Sequence, residues 1–143
     1  MVALFSIKPE YVEKIFAGEK LYEYRRVIFK QPAVKIVVYA TMPVGKIIGE
    51  FAVDDVLVAT PDEIWNMTKS VSGVDESFFK QYFQDRTKAY AIKIGATTRY
   101  NKPINPKGIF HQFTAPQSFR YLAETEVLKI GYFRETIESL KNF

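Results

Sequence analysis

The amino-acid sequence predicts a mixed α+β domain in which short strands form a curled sheet and helices are inserted between them. Apolar residues recur at a spacing of two in some segments and at helical spacing in others, and the two kinds of segment do not alternate regularly. Hydrophobic residues make up 48% of the 143 residues. A chain of this length and composition can bury a core, so we predict one domain over residues 1–143.

Several site chemistries are excluded by composition, since the chain has no cysteine and a single histidine, His111. A disulfide framework, a thiolate zinc site, a cysteine nucleophile and a histidine-rich metal site are therefore ruled out. Only a carboxylate magnesium site remains open. Asp54 and Asp55 are adjacent on a predicted strand and face opposite ways, so we interpret them as solvated. We expect no metal and no cofactor, and we expect His111 to be packed beside Phe110 and Phe113.

The first elements are predicted by a change in hydrophobic spacing near Pro9. Val2 to Ile7 is a continuous apolar run typical of a buried strand. Pro9 suits the first turn of a helix, where its missing N–H is harmless. Apolar residues at helical spacing follow, and Gly18 is a suitable C-terminal cap.

Three further strands are predicted before the middle of the chain. Lys20 to Ile28 has a spacing of two, which indicates a strand. Val34 to Ala40 is rich in β-branched residues and predicts a central strand. After a turn at Met42–Gly45, Lys46 to Val58 predicts a long strand, in which Gly49 indicates a bulge or a close backbone approach.

The second half is predicted to begin with two helices. Thr60 and Glu63 form a capping-box pattern for a helix that ends near Lys69, with Trp65 in its core face. Asp75 to Gln84 predicts another helix. The remaining predicted elements are a strand from Thr87 to Ile94, a bend at Gly95, a short strand from Thr97 to Tyr100, a loop from Lys102 to Gly108, a short helix from Pro116 to Leu122, and a C-terminal helix on Ile130, Phe133, Ile137 and Leu140.

Residues 86–123 contain basic residues, no acidic ones, and interleaved aromatics. Such a segment can attract phosphates and offer rings on which bases stack. It is equally typical of aromatics in the core beside a solvated charged face. The candidate contacts to a nucleic-acid backbone are Arg86, Lys88, Arg99, Lys102, Lys107 and Arg120.

The segment from Gly18 to Arg25 spells G-x-K-x-x-E-x-R after a strand and a short helix. In this context the motif resembles the ASCH family, a branch of the PUA-like fold. Three neighbouring segments agree with the resemblance, which covers roughly residues 4–94: Ser6-Ile7-Lys8-Pro9, Tyr39-Ala40-Thr41-Met42-Pro43 and Gly49-Glu50-Phe51. It implies a small mixed β-barrel with a short helix after strand one, inserted helices and a C-terminal helix.

The resemblance implies binding of RNA or a nucleotide in a cleft between the barrel and its first helix. Glu23 and Arg25 are two apart on a predicted strand and can point the same way, while Lys20 is expected at the mouth of the strand. An exposed ion-pair ladder that contributes little is the alternative interpretation of these charges. The ligand-binding candidates are Lys20, Glu23, Arg25, Thr41 and Lys8.

An enzyme is the second hypothesis, because some ASCH proteins are N4-acetylcytidine amidohydrolases and others are ribonucleases. In that case Lys20 and Glu23 are the catalytic candidates. The amidohydrolase type has threonine where this chain has Glu23, and its distal acid matches no motif here; Glu63 and Glu76 are guesses. We expect Glu23 to raise the pKa of Lys20 and to keep it charged, which favours binding over amide hydrolysis.

Partners and location are weakly constrained by the sequence. The family name comes from a transcription coactivator, but no feature favours a protein-interaction domain, so a protein partner is unknown. No stretch approaches the ~20 apolar residues of a membrane span, and no membrane partner is expected. Residues 1–7 lack the basic start and cleavage site of a signal peptide. We expect a cytoplasmic protein.

Overall fold

The computed structural model describes the backbone of residues 1–141 and the side chains of residues 1–134. The strands are β1 (Val2–Ile7), β2 (Tyr22–Arg25), β3 (Lys35–Ala40), β4 (Lys46–Ala59), β5 (Ala89–Ile104) and β6 (Phe119–Tyr121). The α-helices are α1 (Pro9–Phe16), α2 (Pro61–Thr68), α3 (Glu76–Tyr82) and α4 (Glu124–Lys141). The predicted places of Ile137 and Leu140 in the last helix lie outside the described side chains.

The six strands form one mixed sheet in the order β2-β5-β4-β3-β1-β6. β1 pairs with β3 in parallel, and the other neighbours are antiparallel. The sheet curls into a half-barrel whose edges are β2 and β6. The predicted α+β class is confirmed, although no backbone ladder joins the two edges among the strands of residues 1–141. The prediction of a single domain over residues 1–143 stays a prediction.

Both faces of the central strands are buried, which explains why β1 and β3 are almost continuously apolar. Alternate residues of β1 enter different clusters: Phe5 packs with α1 residues such as Val12, whereas Leu4 packs with Ile130 of α4. A third cluster joins α2 and α3 to β2 and β5, and Phe79 lies within it. The three clusters hold α1, α4 and the α2–α3 pair against the sheet.

Local predictions at the ends of helices are confirmed. Thr60 accepts a hydrogen bond from the Glu63 backbone N–H at 3.3 Å. Gly18 follows α1 with φ +78°, a conformation that glycine adopts without strain. Gly49 is also confirmed as a close approach, because a Cβ there would lie 2.4 Å from the Thr98 carbonyl oxygen. β4 also shifts register beside Gly49.

Two predicted elements are wrong. No helix forms between Pro116 and Leu122; residues 119–121 are β6, which pairs with β1. Edge pairing outweighs the helix-start preference of Pro116, since a strand there satisfies backbone groups of β1. Gly95 does not end a strand either, because β5 runs unbroken through it and absorbs the irregularity as register shifts against β4. The predicted loop from Lys102 therefore begins later, after Ile104.

β2 is shorter than predicted and begins at Tyr22, so Lys20 precedes the strand. Among the helices of residues 1–141, none combines the length and apolar character needed to cross a lipid bilayer.

Candidate functional site

A cavity of about 500 Å³ opens between the edge strand β2, the end of β1 and the segment that leads into β6. Helices α1 and α3 supply the remaining walls. Its polar and charged lining residues are Ser6, Lys8, Tyr11, Lys20, Glu23, Tyr24, Arg25, Arg26, Thr41, Tyr82, Arg86, Gln117 and Ser118. A cavity of this size falls within the range of about 300–1,000 Å³ that small-molecule sites occupy.

All five sequence-predicted ligand-binding residues line this cavity: Lys20, Glu23, Arg25, Thr41 and Lys8. Three elements bring them together. The G-x-K-x-x-E-x-R motif supplies Lys20 just before β2, and Glu23 and Arg25 within β2. The turn from β1 into α1 supplies Lys8. Thr41 follows β3, and its backbone N–H donates to the Ile7 carbonyl oxygen at 3.0 Å. The cavity thus gathers residues that lie far apart in the sequence.

Lys20 is fully buried, with 1% of its surface exposed, and does not lie at the mouth of the strand as predicted. Its Nζ donates to the Ser72 carbonyl oxygen at 2.9 Å. The same nitrogen lies over the Tyr24 ring at 4.7 Å and over the Tyr11 ring at 5.6 Å. One backbone acceptor and two aromatic faces therefore hold the ammonium in place.

Burial lowers the pKa of Lys20 to about 8. Glu23 opposes this effect, and the cations Arg25 and Lys14 add to it. The expectation that Glu23 leaves Lys20 with a raised pKa is therefore wrong in its net sign, because desolvation outweighs the carboxylate. At neutral pH about a tenth of the lysine is the free amine, so the group can act as a cation or exchange a proton.

Glu23 and Arg25 are each 7% exposed, which rules out the solvated ion-pair ladder. The Arg25 Nη2 and Glu23 Oε2 atoms are 4.0 Å apart, beyond hydrogen-bond distance. Among the side chains of residues 1–134, Glu23 Oε2 and Arg25 Nε find no hydrogen-bond partner. Buried polar atoms without partners cost free energy, which indicates a site organised for a ligand rather than for stability.

Arg25 also connects the two edges of the half-barrel. Its Nη1 donates to the side-chain oxygen of Ser118 at 3.0 Å and to the backbone oxygen of the same residue at 3.3 Å. Its Nη2 donates to the Ser6 carbonyl oxygen at 3.0 Å. The guanidinium also lies over the Phe5 ring at 4.5 Å. Arg25 thus links β2 to the segment before β6, although the backbones of these two edge strands form no ladder.

Most of the basic segment lies away from the cavity. Of its six candidates, only Arg86 lines it. Arg99 forms a two-point ion pair with Glu13 at 2.8 and 2.9 Å, and Arg120 forms one with Glu126. The candidates outside the cavity lining are exposed: Lys88, Arg99, Lys102, Lys107 and Arg120. None of the six interleaved aromatics is exposed, and all but Tyr90 pack in the hydrophobic clusters, which favours the interpretation as core residues.

The other candidates do not enter the cavity. Glu63 and Glu76 are exposed, and Glu76 pairs with Lys80 at 3.2 Å. His111 is exposed on a loop, so the expectation that it packs beside Phe110 and Phe113 is wrong. Trp65 packs against Phe79 as predicted. In residues 1–134, no group of three His, Cys, Asp or Glu side chains is placed to hold a metal ion.

Sequence reasoning missed the α3 side of the cavity, which contributes Phe78, Phe79 and Tyr82. It also missed Ser118, because the segment before β6 was assigned to a helix. Phe78 and Tyr82 are four residues apart in the sequence, a helical spacing that by itself predicts only an apolar helix face.

The protein is therefore an α+β half-barrel with a cavity lined by charged and aromatic side chains at the gap between its edges. A family model described as the ASCH domain matches residues 5–98. The chain belongs to the ASCH domain family, as the motif and its neighbours indicate.

Known proteins resemble the chain over nearly its whole length. An ASCH domain-containing ribonuclease from Zymomonas mobilis is 29% identical over 95% of this chain and 94% of the relative. The crystal structure of ASCH from the same organism has a TM-score of 0.86 at 29% identity, and covers 92% of this chain and 94% of that chain. The N-terminal domain of Staphylothermus marinus McrB shares the fold, with a TM-score of 0.60 at 10% identity over 92% of this chain and 93% of that chain.

Proposed function

We propose that the protein binds single-stranded RNA and receives one nucleotide in the cavity. The observation that carries the proposal is the buried set of Lys20, Glu23 and Arg25, in which hydrogen-bonding capacity is left unused. A carboxylate can accept from a base edge and a guanidinium can donate to one. The similarity to a named ribonuclease over the whole chain supports RNA as the polymer.

Charge at the mouth of the cavity supports a phosphate-bearing ligand. Lys8, Arg26 and Arg86 are exposed cations that line it. Basic side chains near phosphates release counterions, which favours association at low salt. Lys20 adds a buried ammonium to the lining. The nucleotide therefore meets both exposed and buried cations in the cavity.

The test is binding of a short fluorescent RNA oligonucleotide to wild type and to Lys20→Met. We expect affinity to fall by at least about tenfold, the effect of losing a charged hydrogen-bonding group. Lys129→Met is the matched control, because Lys129 is exposed on α4 and lies outside the cavity lining. Wild-type protein that binds no RNA at low salt would contradict the proposal, as would equal affinity in the two variants.

RNA cleavage is the second candidate, favoured by the lowered pKa of Lys20 and by the activity named for the Zymomonas mobilis relative. Cleavage by transesterification needs a base that takes the proton of the 2′-hydroxyl as its oxygen bonds to phosphorus. It also needs an acid that protonates the 5′-oxygen as the P–O5′ bond breaks. The products are a 2′,3′-cyclic phosphate and a 5′-hydroxyl. Glu23 and Lys20 offer a carboxylate base and an ammonium acid.

Cleavage and amide hydrolysis are separated by two assays on the same protein. One incubates the labelled oligonucleotide and resolves the fragments, and the other follows cytidine release from N4-acetylcytidine. We expect cleavage, if present, to disappear in Glu23→Gln, and we expect little or no cytidine. Robust cytidine release that is lost in Lys20→Met would make amide hydrolysis the activity of the site.

The cytoplasmic location inferred from the sequence stays a prediction.

A further inference from the structure

Two aromatic rings of α3 stack on each other at the cavity. Phe78 and Tyr82 are one helical turn apart, with ring centroids 6.0 Å apart and planes inclined by 13°. Both rings line the cavity and are half-buried. The stacked pair presents aromatic surface to the cavity beside its charged residues.

Other rings of α3 are more deeply buried than this pair. Phe79 and Phe83 hold the helix, since they are 2% and 3% exposed and lie in the cluster with Tyr24. Phe79 also contacts the Trp65 ring at a centroid distance of 4.9 Å. Tyr82 also packs against this cluster, with its ring 4.8 Å from that of Phe83, and the Phe78 ring lies 5.5 Å from that of Tyr11. Both rings of the pair nevertheless stay partly exposed and line the cavity.

Cations occupy the faces of both rings. The Lys8 Nζ lies 5.4 Å from the centroid of Phe78, and the Arg26 Cζ lies 4.7 Å from that of Tyr82. Arg86 lines the same cavity. Aromatic faces beside mobile cations are the combination with which proteins bind single-stranded nucleic acids, because bases stack on rings while phosphates pair with the cations.

We propose that Phe78 and Tyr82 form a second nucleotide subsite, on which the base next to the nucleotide in the cavity stacks. The incoming base takes the place of the Arg26 guanidinium on Tyr82, and Arg26 then pairs with the connecting phosphate. The ligand unit is therefore a dinucleotide or longer strand rather than a single nucleotide. This proposal rests on the proposed RNA-binding function and adds that the ligand contains at least two linked nucleotides.

The test compares a mononucleotide with dinucleotides that carry 2-aminopurine at either position. We expect the wild type to bind the dinucleotide at least about fivefold more tightly, as stacking of one base provides. We also expect fluorescence quenching of the outer base. Tyr82→Leu keeps the apolar volume without the π face, and should lose the dinucleotide preference and the quenching. Tyr82→Phe should retain both.

Tyr132→Leu is the matched control, because this tyrosine is 67% exposed on α4 and lies outside the cavity lining. Equal wild-type affinity for mononucleotide and dinucleotide, without quenching at either position, would overturn the subsite while leaving RNA binding intact. Absence of binding to both ligands would instead overturn the proposed function on which the subsite rests. The wild-type measurements decide the proposal even if Tyr82→Leu folds poorly.

Discussion

The Lys20 ammonium donates a hydrogen bond to the Ser72 carbonyl oxygen at 2.9 Å, inside a cavity wall that excludes water from the lysine. The interaction joins the start of β2 to the segment between α2 and α3. The neighbouring Gly73 carbonyl oxygen accepts from Lys14 Nζ at 3.1 Å. Lys14 and Lys20 thus hold the segment of residues 72–73 in place beside the cavity.

The pH dependence of stability should reveal Lys20. Its pKa is about 8 in the folded protein and about 10.4 in an unfolded chain, so the unfolded chain binds more protons between these values. The free energy of unfolding should therefore rise with pH across this window, by an amount of the order of 3 kcal/mol from this group. Below about pH 8 the cost of the buried charge is fully present.

Urea denaturation of wild type and Lys20→Met at about pH 7 and about pH 10.5 measures this effect. Groups that titrate alike in both proteins cancel when the two free energies of unfolding are subtracted. The free energy of unfolding of wild type should therefore rise with pH relative to that of the variant. A difference that stays constant between the two pH values would show that Lys20 has an ordinary pKa in the folded state.

Gly73→Ala should be destabilising and should weaken RNA binding. Gly73 has φ +68°, and an added Cβ would lie 2.6 Å from the Lys20 Cβ. Gly18→Ala is the matched control, because Gly18 has φ +78° but nothing within 4 Å of an added Cβ. Backbone strain of about 1 kcal/mol applies to both variants. We expect a larger loss of stability and of affinity for Gly73→Ala alone; equal effects would contradict the contact with Lys20.

Glu50→Gln should reduce stability by at least about 2 kcal/mol without changing RNA affinity. Glu50 is buried on β4, away from the cavity lining, and accepts from Tyr100 at 2.9 Å. Lys35 and Arg134 also pair with it, so the variant leaves two cations beside a neutral amide. Burial is the larger cause of a raised pKa at Tyr100, and the negative charge of Glu50 raises that pKa further.

The comparison for Glu50 is Glu13→Gln, which breaks the exposed pair with Arg99. Exposed pairs contribute at most about 1 kcal/mol, so denaturation should show a small change. Equal losses in the two variants would indicate that the Glu50 cluster is as well solvated as the surface pair.

The salt dependence of RNA binding should identify the cations that contact phosphates. Arg86 lines the cavity, whereas Arg99 is engaged with Glu13. Arg86→Ala should lower affinity and reduce the slope of log affinity against log salt by about 1. Arg99→Ala should leave the slope nearly unchanged. A larger change in slope for Arg99→Ala than for Arg86→Ala would place the RNA along β5. It would favour the basic segment as the contact to the RNA backbone.

Sequence reasoning predicted the elements whose signals are local. The capping box at Thr60, the glycine cap at Gly18 and the apolar strands β1 and β3 follow from hydrogen bonds or side-chain spacing within a few residues. It failed at residues 116–122 because an edge strand is specified by its partner, β1, which lies more than a hundred residues earlier. Continuity of β5 through Gly95 has the same origin, since pairing with β4 maintains it.

The sequence by itself determined which chemical groups the site contains, because Lys20, Glu23 and Arg25 form a motif of fixed spacing. Only the tertiary structure decided their environment. Folding of the 72–74 segment over Lys20 removes water and lowers its pKa, which no local pattern encodes. The fold likewise packed most aromatics of the basic segment against the hydrophobic clusters and placed α3 beside the cavity. Burial depends on what packs against a residue, and that is settled by contacts between distant segments.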